Sequence, residues 1–585
     1  MTASIARILE ARGGFLPRLS PDGATLFYLS DVTGTQQLWR VPAAGGTPAR
    51  LSFDCDRVGD FRISPDGRRI AYGADVNGNE RWQIWVVEAM GGDARKLTER
   101  PDRMHHVSGW SSDGQSVIVR SNVRDPRFFD VVTLDAGTRA TPPRMLFEWD
   151  GTLNDAVPLP DGRFAVVTNR DRSDHNDVFL VDSSGPRRLT DDLDARYAAP
   201  RQAADGLLLV SNRDRDFSGV SRLGPDGGYA RVVAVDHDVE AFDATDGRWA
   251  YAVNRDGGSE IHLVNGADRI VSGVPFGALG SGLDLVPDGS CAFALTRFDA
   301  PSEVFVASAA GARVAVPATL GGLSAGDLPV AEPVSWTAFD GRRIPGTLLR
   351  PQGTSGARAT VVQVHGGPEG QARPLWNPTT IALIAAGFNV LQPNVRGSTG
   401  YGLAYRSLDD VRLRLDSVRD LDAAAAWLGS EGIAPPDRIA VMGGSYGGFM
   451  TLAALAFFPA RWAAGVCTVG IANFVTFLER TDAWRRPLRE AEYGSLERDR
   501  EFLEDLSPIN HLDAIAAPLM VIHGANDPRV PVHEAEQIVA ALRGRERPVE
   551  YLRYEDEGHG IVKFKNRVDL IPRIVAFLQR HLDSA

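Results

Sequence analysis

Hydrophobic and polar positions alternate in short runs through the first half of the chain. Runs such as 25–28 and 37–41 have the two-residue period of half-buried strands. Repeats of 40 to 50 residues built from strand, turn and strand are typical of propeller blades. An Asp-Gly pair, a common hairpin turn, recurs at intervals of 41 to 48 residues, at Asp22, Asp66, Asp113, Asp161, Asp205, Asp246 and Asp288. The pattern predicts a seven-bladed β-propeller over residues 16–320, in which these aspartates form turns rather than bind ligands.

The second half of the chain follows a different pattern. A small, Gly-rich segment near 316–330 suits a crossing between domains. An antiparallel pair of strands is then predicted over 333–339 and 344–349. From residue 360 onward, short apolar runs such as 438–442 and 519–522 alternate with longer helical stretches. Strands that alternate with helices indicate a mostly parallel sheet, so we predict a second domain of α/β type over 321–585.

Residues 1–15 are predicted to form a short amphipathic helix. Ile5, Ile8 and Leu9 fall on one face, and Arg7 and Glu10 interrupt the apolar character. The segment therefore lacks the apolar core of a signal peptide. No run of the sequence approaches the ~18 apolar residues that a membrane span needs. We expect a cytoplasmic protein without a membrane partner.

Composition and charge exclude several classes of function. A chain of 585 residues exceeds the size at which one hydrophobic core stops growing, so at least two domains are expected. The formal net charge is −12 and no stretch concentrates Lys and Arg, which argues against a nucleic-acid partner. Cys55, Cys291 and Cys467 lie far apart, without the spacing of a metal site or a disulfide framework. We expect neither a metal nor an organic cofactor.

The stretch Gly-Gly-Ser-Tyr-Gly-Gly over 443–448 is the main candidate for chemistry. It lies between the strand predicted at 438–442 and a helix predicted over 449–458. A G-x-S-x-G sequence between a strand and a helix is typical of a nucleophile elbow, a tight turn that exposes the serine hydroxyl. Gly443 and Gly447 lack the Cβ atoms that would collide in such a turn. Ser445 is therefore the predicted nucleophile.

A serine nucleophile needs a base and a third group that orients the base. Asp527 follows the strand predicted at 519–522, and His559 lies on a glycine-flanked loop before the last predicted helix, 570–582. The order Ser, Asp, His is the one that α/β-hydrolases use. Asp556 is too close to His559 along the chain to reach its ring. His523 and His533 are better explained as a packed histidine and a helix start.

An oxyanion hole is the remaining catalytic requirement, because stabilisation of the tetrahedral intermediate is often the largest single catalytic effect. The elbow supplies the backbone N–H of Tyr446. A Gly-rich loop follows the strand predicted at 361–364, and Gly367 in that loop is the candidate for the second N–H.

Five motifs, in this order, resemble the prolyl oligopeptidase family of serine peptidases, and most closely its acylaminoacyl-peptidase branch. They are HGGP from His365, NVRGSTGYG from Asn394, GGSYGG from Gly443, GANDPRVP from Gly524 and GHG from Gly558. The resemblance implies a C-terminal α/β-hydrolase domain capped by an N-terminal β-propeller that restricts entry to short peptides. It also implies that Arg529 binds a substrate backbone carbonyl, and it is compatible with assembly into a homo-oligomer.

The segment 474–493 falls where hydrolases place cap or pocket elements. Phe474, Phe477 and Trp484 are candidates for an apolar pocket that binds substrate, although aromatic residues in such a pattern are more often plain core.

The sequence predicts a serine peptidase acting on short peptides through an acyl-enzyme, as an acylaminoacyl peptidase or a related oligopeptidase. The alternatives are a carboxypeptidase-type or dipeptidyl-type peptidase of the same family, a carboxylesterase, and a non-catalytic propeller interaction protein. Dipeptidyl peptidases of the family use paired glutamates on a propeller insertion, for which the regular blade intervals leave no space. A carboxypeptidase would bind the terminal carboxylate through propeller arginines such as Arg124, Arg127, Arg170, Arg172, Arg213 and Arg215.

Overall fold

A computed structural model of the chain describes residues 2–53, 56–137, 142–170, 172–191 and 193–582. Seven small sheets form a propeller, and one eight-stranded sheet forms the core of a second domain. The predicted fold class, a β-propeller followed by an α/β-hydrolase domain, is confirmed. Cys55 lies outside the described residues, whereas Cys291 and Cys467 are buried free thiols.

The first part of the chain begins with helix α1 (Thr2–Glu10) and strand β1 (Ala11–Arg12), and then forms the seven blades in order. Blades 1 to 3 contain β2 (Gly14–Leu19), β3 (Thr25–Ser30), β4 (Gln37–Pro42) and β5 (Ala49–Arg50); β6 (Arg57–Ile63), β7 (Arg69–Asp75), β8 (Gln83–Glu88) and β9 (Arg95–Lys96); and β10 (His105–Trp110), β11 (Ser116–Ser121), β12 (Asp130–Asp135) and β13 (Arg144–Phe147).

Blades 4 to 7 repeat the same antiparallel arrangement. They contain β14 (Leu153–Pro158), β15 (Phe164–Asn169), β16 (Asn176–Asp182) and β17 (Gly185–Arg188); β18 (Tyr197–Ala203), β19 (Gly206–Ser211), β20 (Gly219–Leu223) and β21 (Tyr229–Val233); β22 (Val239–Thr245), β23 (Arg248–Arg255), β24 (Gly258–Asn265) and β25 (Ala267–Ile270); and β26 (Ala278–Leu279), β27 (Asp284–Leu285), β28 (Cys291–Arg297), β29 (Ala300–Ser308) and β30 (Gly311–Val316).

The predicted Asp-Gly turns each lie between two paired strands of one blade. In blade 1, the Asp22 carboxylate accepts hydrogen bonds from Ser20 Oγ and from the backbone N–H of Ala24. Gly23 follows with a φ of +70°, a conformation that glycine adopts without steric cost. These contacts agree with the expectation that the aspartates form turns.

The propeller closes through side chains. In the described part of the chain each blade consists of consecutive strands, so the first and last blades do not share one. Leu26 and Tyr28 of blade 1 pack with Val304 of blade 7 in one apolar cluster. Arg18 pairs with Asp284 across the same seam, with Nη1 and Oδ1 3.3 Å apart.

The chain enters and leaves the propeller at one point. Strand β31 (Thr319–Leu320) follows the last blade and pairs antiparallel with β1. Ile8 and Leu9 of α1 are fully buried, in a core that also contains Leu383 and Phe577 of the second domain. The N-terminal helix therefore packs with the hydrolase domain, from which the propeller separates it in sequence.

The hydrolase sheet is mixed, with the strand order β32-β33-β35-β34-β36-β37-β38-β39. Its strands are β32 (Val330–Thr337), β33 (Arg343–Arg350), β34 (Thr360–Val364), β35 (Asn389–Pro393), β36 (Ile439–Gly444), β37 (Ala464–Thr468), β38 (Leu519–Gly524) and β39 (Val549–Tyr554). β33 pairs antiparallel with β32 and β35, and the strands from β35 to β39 pair in parallel.

Helices cover both faces of this sheet. They are α2 (Pro378–Ala385), α3 (Leu403–Arg406), α4 (Arg414–Ser430), α5 (Tyr446–Phe457), α6 (Phe474–Arg480), α7 (Arg486–Tyr493), α8 (Arg500–Leu506), α9 (His533–Arg543) and α10 (Phe564–Leu582). α1, α2 and α10 contribute to the core on one face, and α4, α5 and α9 to the core on the other. None of the helices described here combines the length and apolar character needed to span a membrane.

We expect Leu9→Ala to lower the free energy of unfolding of the hydrolase domain by about 2–5 kcal/mol, because truncating a buried leucine leaves a cavity. The exposed neighbour Glu10 provides the control, since Glu10→Ala should change it by less than about 0.5 kcal/mol. Urea unfolding followed by far-ultraviolet circular dichroism reports mainly the helices of this domain. Equal midpoints for the two variants would show that α1 does not stabilise the hydrolase domain.

Candidate active site

Ser445 lies in the tight turn between β36 and α5. Its backbone has a strained positive φ, with φ +59° and ψ −120°. A β carbon on Gly443 would lie 2.3 Å from the carbonyl oxygen of Gly447, and one on Gly447 would lie 2.3 Å from that of Val364. Both glycines are therefore required by close backbone contacts. The Ser445 N–H donates to Thr468 O on β37 at 2.9 Å, which fixes the turn at the carboxyl edge of the sheet.

Asp527 and His559 are paired at the same edge. Asp527 follows β38, and His559 lies on the loop between β39 and α10. His559 Nδ1 is 2.8 Å from Asp527 Oδ2 and 3.0 Å from Oδ1. The Asp527 Oδ1 also accepts hydrogen bonds from the backbone N–H groups of Arg529 and Val530, at 2.8 and 3.0 Å. The carboxylate is thus held in one orientation against the imidazole.

Asp527 is buried, yet its electrostatic surroundings favour the ionised form. Burial alone would raise the pKa of this carboxyl group, but hydrogen bonds from His523 and His559 outweigh burial and hold the pKa well below its usual range. His523 Nε2 is 3.4 Å from Asp527 Oδ2 and 2.9 Å from Val530 O. His523 is buried, as expected for a packed histidine, but its contact with the acid was not foreseen.

Ser445 and His559 line one cavity of about 360 Å³. Gly367 lines the same cavity, and a β carbon on its neighbour Gly366 would lie 3.5 Å from the β carbon of Ser445. Tyr446 is the first residue of α5, so its backbone N–H has no acceptor within the helix. Ser445, His559 and Gly367 therefore line one space, and Tyr446 directly follows Ser445 in the chain.

Of the three aromatic residues proposed for the pocket, Phe477 lines this cavity. Phe474 instead lies in the core, fully buried, with its ring 4.8 Å from that of Phe449 on α5. Trp484 lines an adjoining cavity of about 140 Å³ and packs edge-on against Phe129 of the propeller, at 5.3 Å between ring centroids. Tyr493, at the end of α7, lines the catalytic cavity although the sequence did not single it out.

The remaining apolar wall of the catalytic cavity comes from Ile471 and Val530. Both follow strands of the sheet closely, Ile471 after β37 and Val530 after β38. Neither belongs to a helical stripe or an aromatic cluster. Val530 could have been found only through its place in the GANDPRVP motif, which also contains Asp527.

Arg529, the predicted substrate clamp, lines the cavity and is bound to the propeller. Its Nε and Nη2 lie 2.8 and 2.7 Å from Glu80 Oε1. Glu80 also binds Arg485, with Nη2 and Oε2 2.9 Å apart. Glu80 is buried and has a left-handed φ of +55°, and nothing in the local sequence marks it as part of a site.

The hairpin around Glu80, residues 76–82 between β7 and β8, docks beside the histidine loop. A β carbon on Gly78 would lie 2.6 Å from the backbone N of Gly558, the residue before His559. Asn77 Oδ1 accepts a hydrogen bond from Lys563 Nζ at 2.7 Å. Blade 2 of the propeller therefore contacts both the acid loop and the histidine loop.

Two charged residues, Glu369 and Arg489, line both the catalytic cavity and the adjoining one. Ser173 of the propeller donates a hydrogen bond to Glu369 Oε2 at 3.1 Å, and Arg406 Nε lies 3.8 Å from Oε1. Burial raises the pKa of Glu369, and the nearby negative charge of Glu492 raises it further.

A family model described as the prolyl oligopeptidase family matches residues 376–585, which contain Ser445, Asp527 and His559. The chain contains a peptidase domain of the prolyl oligopeptidase family. This confirms the resemblance read from the five motifs, and with it the expectation of an enzyme of the serine peptidase class.

Some relatives match only part of the chain and others nearly all of it, and their names differ. "Dipeptidyl peptidase family member 6" of Caenorhabditis elegans is 38% identical over 228 residues, which are 38% of this chain and 31% of that protein. "Dipeptidyl aminopeptidase BIII" of Pseudoxanthomonas mexicana is 27% identical over 588 residues, covering 94% of this chain and 84% of the relative. The solved structure of a Mycobacterium tuberculosis puromycin-hydrolyzing peptidase has the same two-domain fold, with a TM-score of 0.88, 21% identity, and coverage of 100% of this chain and 96% of that one.

We expect Gly78→Ala to lower kcat for peptide hydrolysis by about tenfold or more, because the new methyl group would displace the loop that carries His559. Gly247→Ala is a matched control. Gly78 and Gly247 have φ values of +71° and +74°, but a β carbon on Gly247 meets no described atom within 4 Å. Both substitutions place alanine at a positive φ, but only Gly78→Ala should also displace the histidine loop and lose activity. Equal kcat values, measured with thermal unfolding of both variants, would contradict a role for this contact.

Proposed function

We propose that the protein is a serine peptidase that hydrolyses short peptides through an acyl-enzyme, with Ser445, His559 and Asp527 as its catalytic triad. The observation that carries the proposal is the Asp527–His559 pair, 2.8 Å apart, at the wall of the cavity that Ser445 enters. An imidazole held by a buried carboxylate, beside a serine on a strained elbow, is suited to acyl transfer.

The proposed reaction has two halves. Ser445 Oγ attacks the scissile carbonyl carbon while the His559 ring takes the hydroxyl proton. The backbone N–H groups of Tyr446 and Gly367 stabilise the oxyanion of the tetrahedral intermediate. His559 then gives its proton to the leaving amine, and a water molecule, deprotonated by His559, hydrolyses the ester. Asp527 keeps the imidazole oriented and stabilises its charged form throughout.

The walls of the site determine which substrate sizes, and which side chains next to the scissile bond, it can accept. Ile471, Phe477 and Val530 provide an apolar surface for that side chain. Arg529 is the proposed donor to a substrate carbonyl. The propeller covers the site through Gly78 and Glu80, and we propose that this cover admits flexible short peptides and excludes folded proteins.

A second candidate, a dipeptidyl-type peptidase that binds a free amino terminus, is favoured by Glu369. Its carboxylate faces the catalytic cavity and is held by one hydroxyl group and a distant guanidinium. A substrate ammonium group would give this partly buried carboxylate a close cationic partner. An acyl-blocked amino terminus, expected from the resemblance to acylaminoacyl peptidases, would bring no such charge. The state of the amino terminus therefore separates the two candidates.

The carboxypeptidase alternative receives less support from the propeller arginines. Each of the six arginines considered for it has a carboxylate oxygen within 4.0 Å: Arg124 with Asp130, Arg127 with Asp125, Arg170 with Asp194, Arg172 with Asp410, Arg213 with Asp191 and Arg215 with Asp236. A carboxylesterase would use the same triad, and the ratio of amide to ester hydrolysis distinguishes it.

One peptide, offered free at both ends, N-acetylated and C-amidated, tests the proposal by mass spectrometry of the products. Ser445→Ala should lower kcat for every cleaved form by at least about a thousandfold, whereas Ser430→Ala, at an exposed serine, should not. Release of an acetylated amino acid would indicate an acylaminoacyl peptidase, and release of a dipeptide from the free form a dipeptidyl peptidase. Cleavage that survives Ser445→Ala would refute the mechanism.

If Glu369 binds a substrate ammonium group, Glu369→Gln should reduce the preference for the free over the acetylated peptide by about tenfold, the scale of one charged hydrogen bond. The kcat/KM for the acetylated peptide should stay within about twofold. The control is Glu479→Gln, at an exposed glutamate of α6, which should leave the preference unchanged. An unaltered preference in Glu369→Gln would eliminate the dipeptidyl candidate in this form.

A further inference from the structure

A buried arginine lies behind the nucleophile elbow. Arg414, at the start of α4, has no exposed side-chain surface. Its Nη2 binds Glu492 Oε1 at 2.7 Å and its Nη1 binds Asp409 Oδ2. The guanidinium carbon lies 5.2 Å from the ring centroid of Tyr446 and 5.0 Å from that of Tyr493. One cation therefore touches both the residue after the nucleophile and a wall of the catalytic cavity.

The far end of the Tyr446 side chain is anchored in the same cluster. Its hydroxyl group donates to Asp409 Oδ2 at 2.9 Å and lies 2.9 Å from Ser417 Oγ. The ring is 1% exposed. Because the backbone N–H of Tyr446 is the proposed oxyanion donor, anchoring of its side chain constrains the direction of that N–H.

Three carboxylates meet in this cluster, and one buried cation does not balance them. One oxygen from each of Asp409, Asp410 and Glu492 can be chosen so that all three lie within 4.8 Å of one another. Burial raises the pKa of Asp409 and of Asp410, and the negative charge of Glu492 adds to both shifts, while Arg414 opposes them. Buried charges that lack a partner are strongly destabilising, so a second cation nearby stabilises the ionised form of the cluster.

The second cation comes from the propeller. Arg172, on the turn between β15 and β16 of blade 4, places Nη1 2.9 Å from Asp410 Oδ2 and Nη2 3.8 Å from Glu492 Oε2. Its side chain is 20% exposed. Glu492 thus lies between two arginines, one from each domain.

We propose that Arg172 is a positioning residue of the oxyanion hole, acting through Glu492 and Arg414 on Tyr446. Docking of blade 4 places Arg172, which also pairs with Asp174 of its own turn, against the Asp410 and Glu492 carboxylates, and the elbow donor then has one defined orientation. The proposal rests on the proposed function of Ser445, and it assigns to the propeller a role in the chemical step besides the control of access.

Removal of Arg172 should act on the transition state more than on substrate binding. Without it, the carboxylates of Asp410 and Glu492 repel each other, and the support of Tyr446 is weakened. An interaction realised only in the transition state lowers kcat without raising KM when it is lost. A purely structural contact between the domains would instead lower thermal stability or raise KM.

The test compares Arg172→Met, which keeps the length of the side chain, with Arg172→Lys, which keeps the charge. We expect Arg172→Met to lower kcat about tenfold or more with KM within about threefold, and Arg172→Lys to restore at least half of the lost kcat. Ser445 Oγ adds to the carbonyl carbon of a peptide aldehyde and forms a tetrahedral adduct. The affinity of Arg172→Met for this aldehyde should fall by about the same factor as its kcat.

A readout that does not depend on the peptide substrate uses a fluorophosphonate probe. Ser445 Oγ attacks phosphorus, fluoride leaves, and the hydroxyl proton passes to His559, so that the phosphoryl oxygen occupies the oxyanion hole. The labelling rate should fall about tenfold in Arg172→Met. The control is Glu240→Gln, which removes another ion pair between the domains. In that pair, the side chains of Arg373 and Glu240 are 17% and 15% exposed. The Glu240→Gln variant should be labelled at the wild-type rate.

The proposal would be overturned if Arg172→Met kept the wild-type labelling rate and kcat. It would also be overturned if Glu240→Gln lost as much labelling rate as Arg172→Met, since the effect would then come from domain docking alone. Failure of the proposed function would be recognised separately. In that case the wild-type protein would cleave none of the peptides, while the labelling comparison would still decide the role of Arg172.

Discussion

The tight turn at Ser445, with its positive φ, is the constraint on which the rest of the site depends. The turn brings the backbones of β34, β36 and α5 so close that no side chain fits at Gly443 or Gly447. It also forces the next side chain, Tyr446, into the interior beneath the elbow. The exposed hydroxyl and the buried ring are two consequences of the same backbone geometry, and whatever packs below the ring influences the nucleophile above it.

The sequence predicted those parts of the molecule that short-range patterns encode. Asp-Gly turns mark the blades because each turn needs a glycine with positive φ, and the elbow and the loops of Asp527 and His559 are contiguous motifs. Sequence did not identify Glu80, which is 449 positions from Arg529, and it singled out Arg172 only as one of six propeller arginines that could bind a terminal carboxylate. Both lie on turns between strands of a repeat. Only the docked arrangement of the domains brings them to the site.

Periodicity also left the direction of individual side chains open. Phe474 and Phe477 are three residues apart on α6, so they share a helix side, yet Phe474 contacts α5 while Phe477 reaches the cavity. Both side chains belong to one apolar core, and only that of Phe477 also reaches the wall of the cavity. A pattern of apolar positions cannot resolve a difference of one turn between two packing partners.

The boundary between the domains near the site is rich in charges. Arg81 with Asp482, Arg373 with Glu240 and Arg406 with Asp174 each join propeller to hydrolase. Charged contacts can separate and form again in water at lower cost than an apolar interface of equal area. The strength of such contacts also depends on ionic strength, so the salt concentration can change how strongly the propeller binds the hydrolase domain.

The pairing of β1 with β31 has a consequence for the motion of the two domains. Topologically, the propeller is an insertion in the hydrolase domain, since α1 precedes it and β32 follows it, and its two ends form a single ribbon. A lone connecting segment would let one domain both swing and twist relative to the other. Two antiparallel crossings side by side resist twisting. The easiest way for the domains to separate is therefore a hinge rotation about the ribbon.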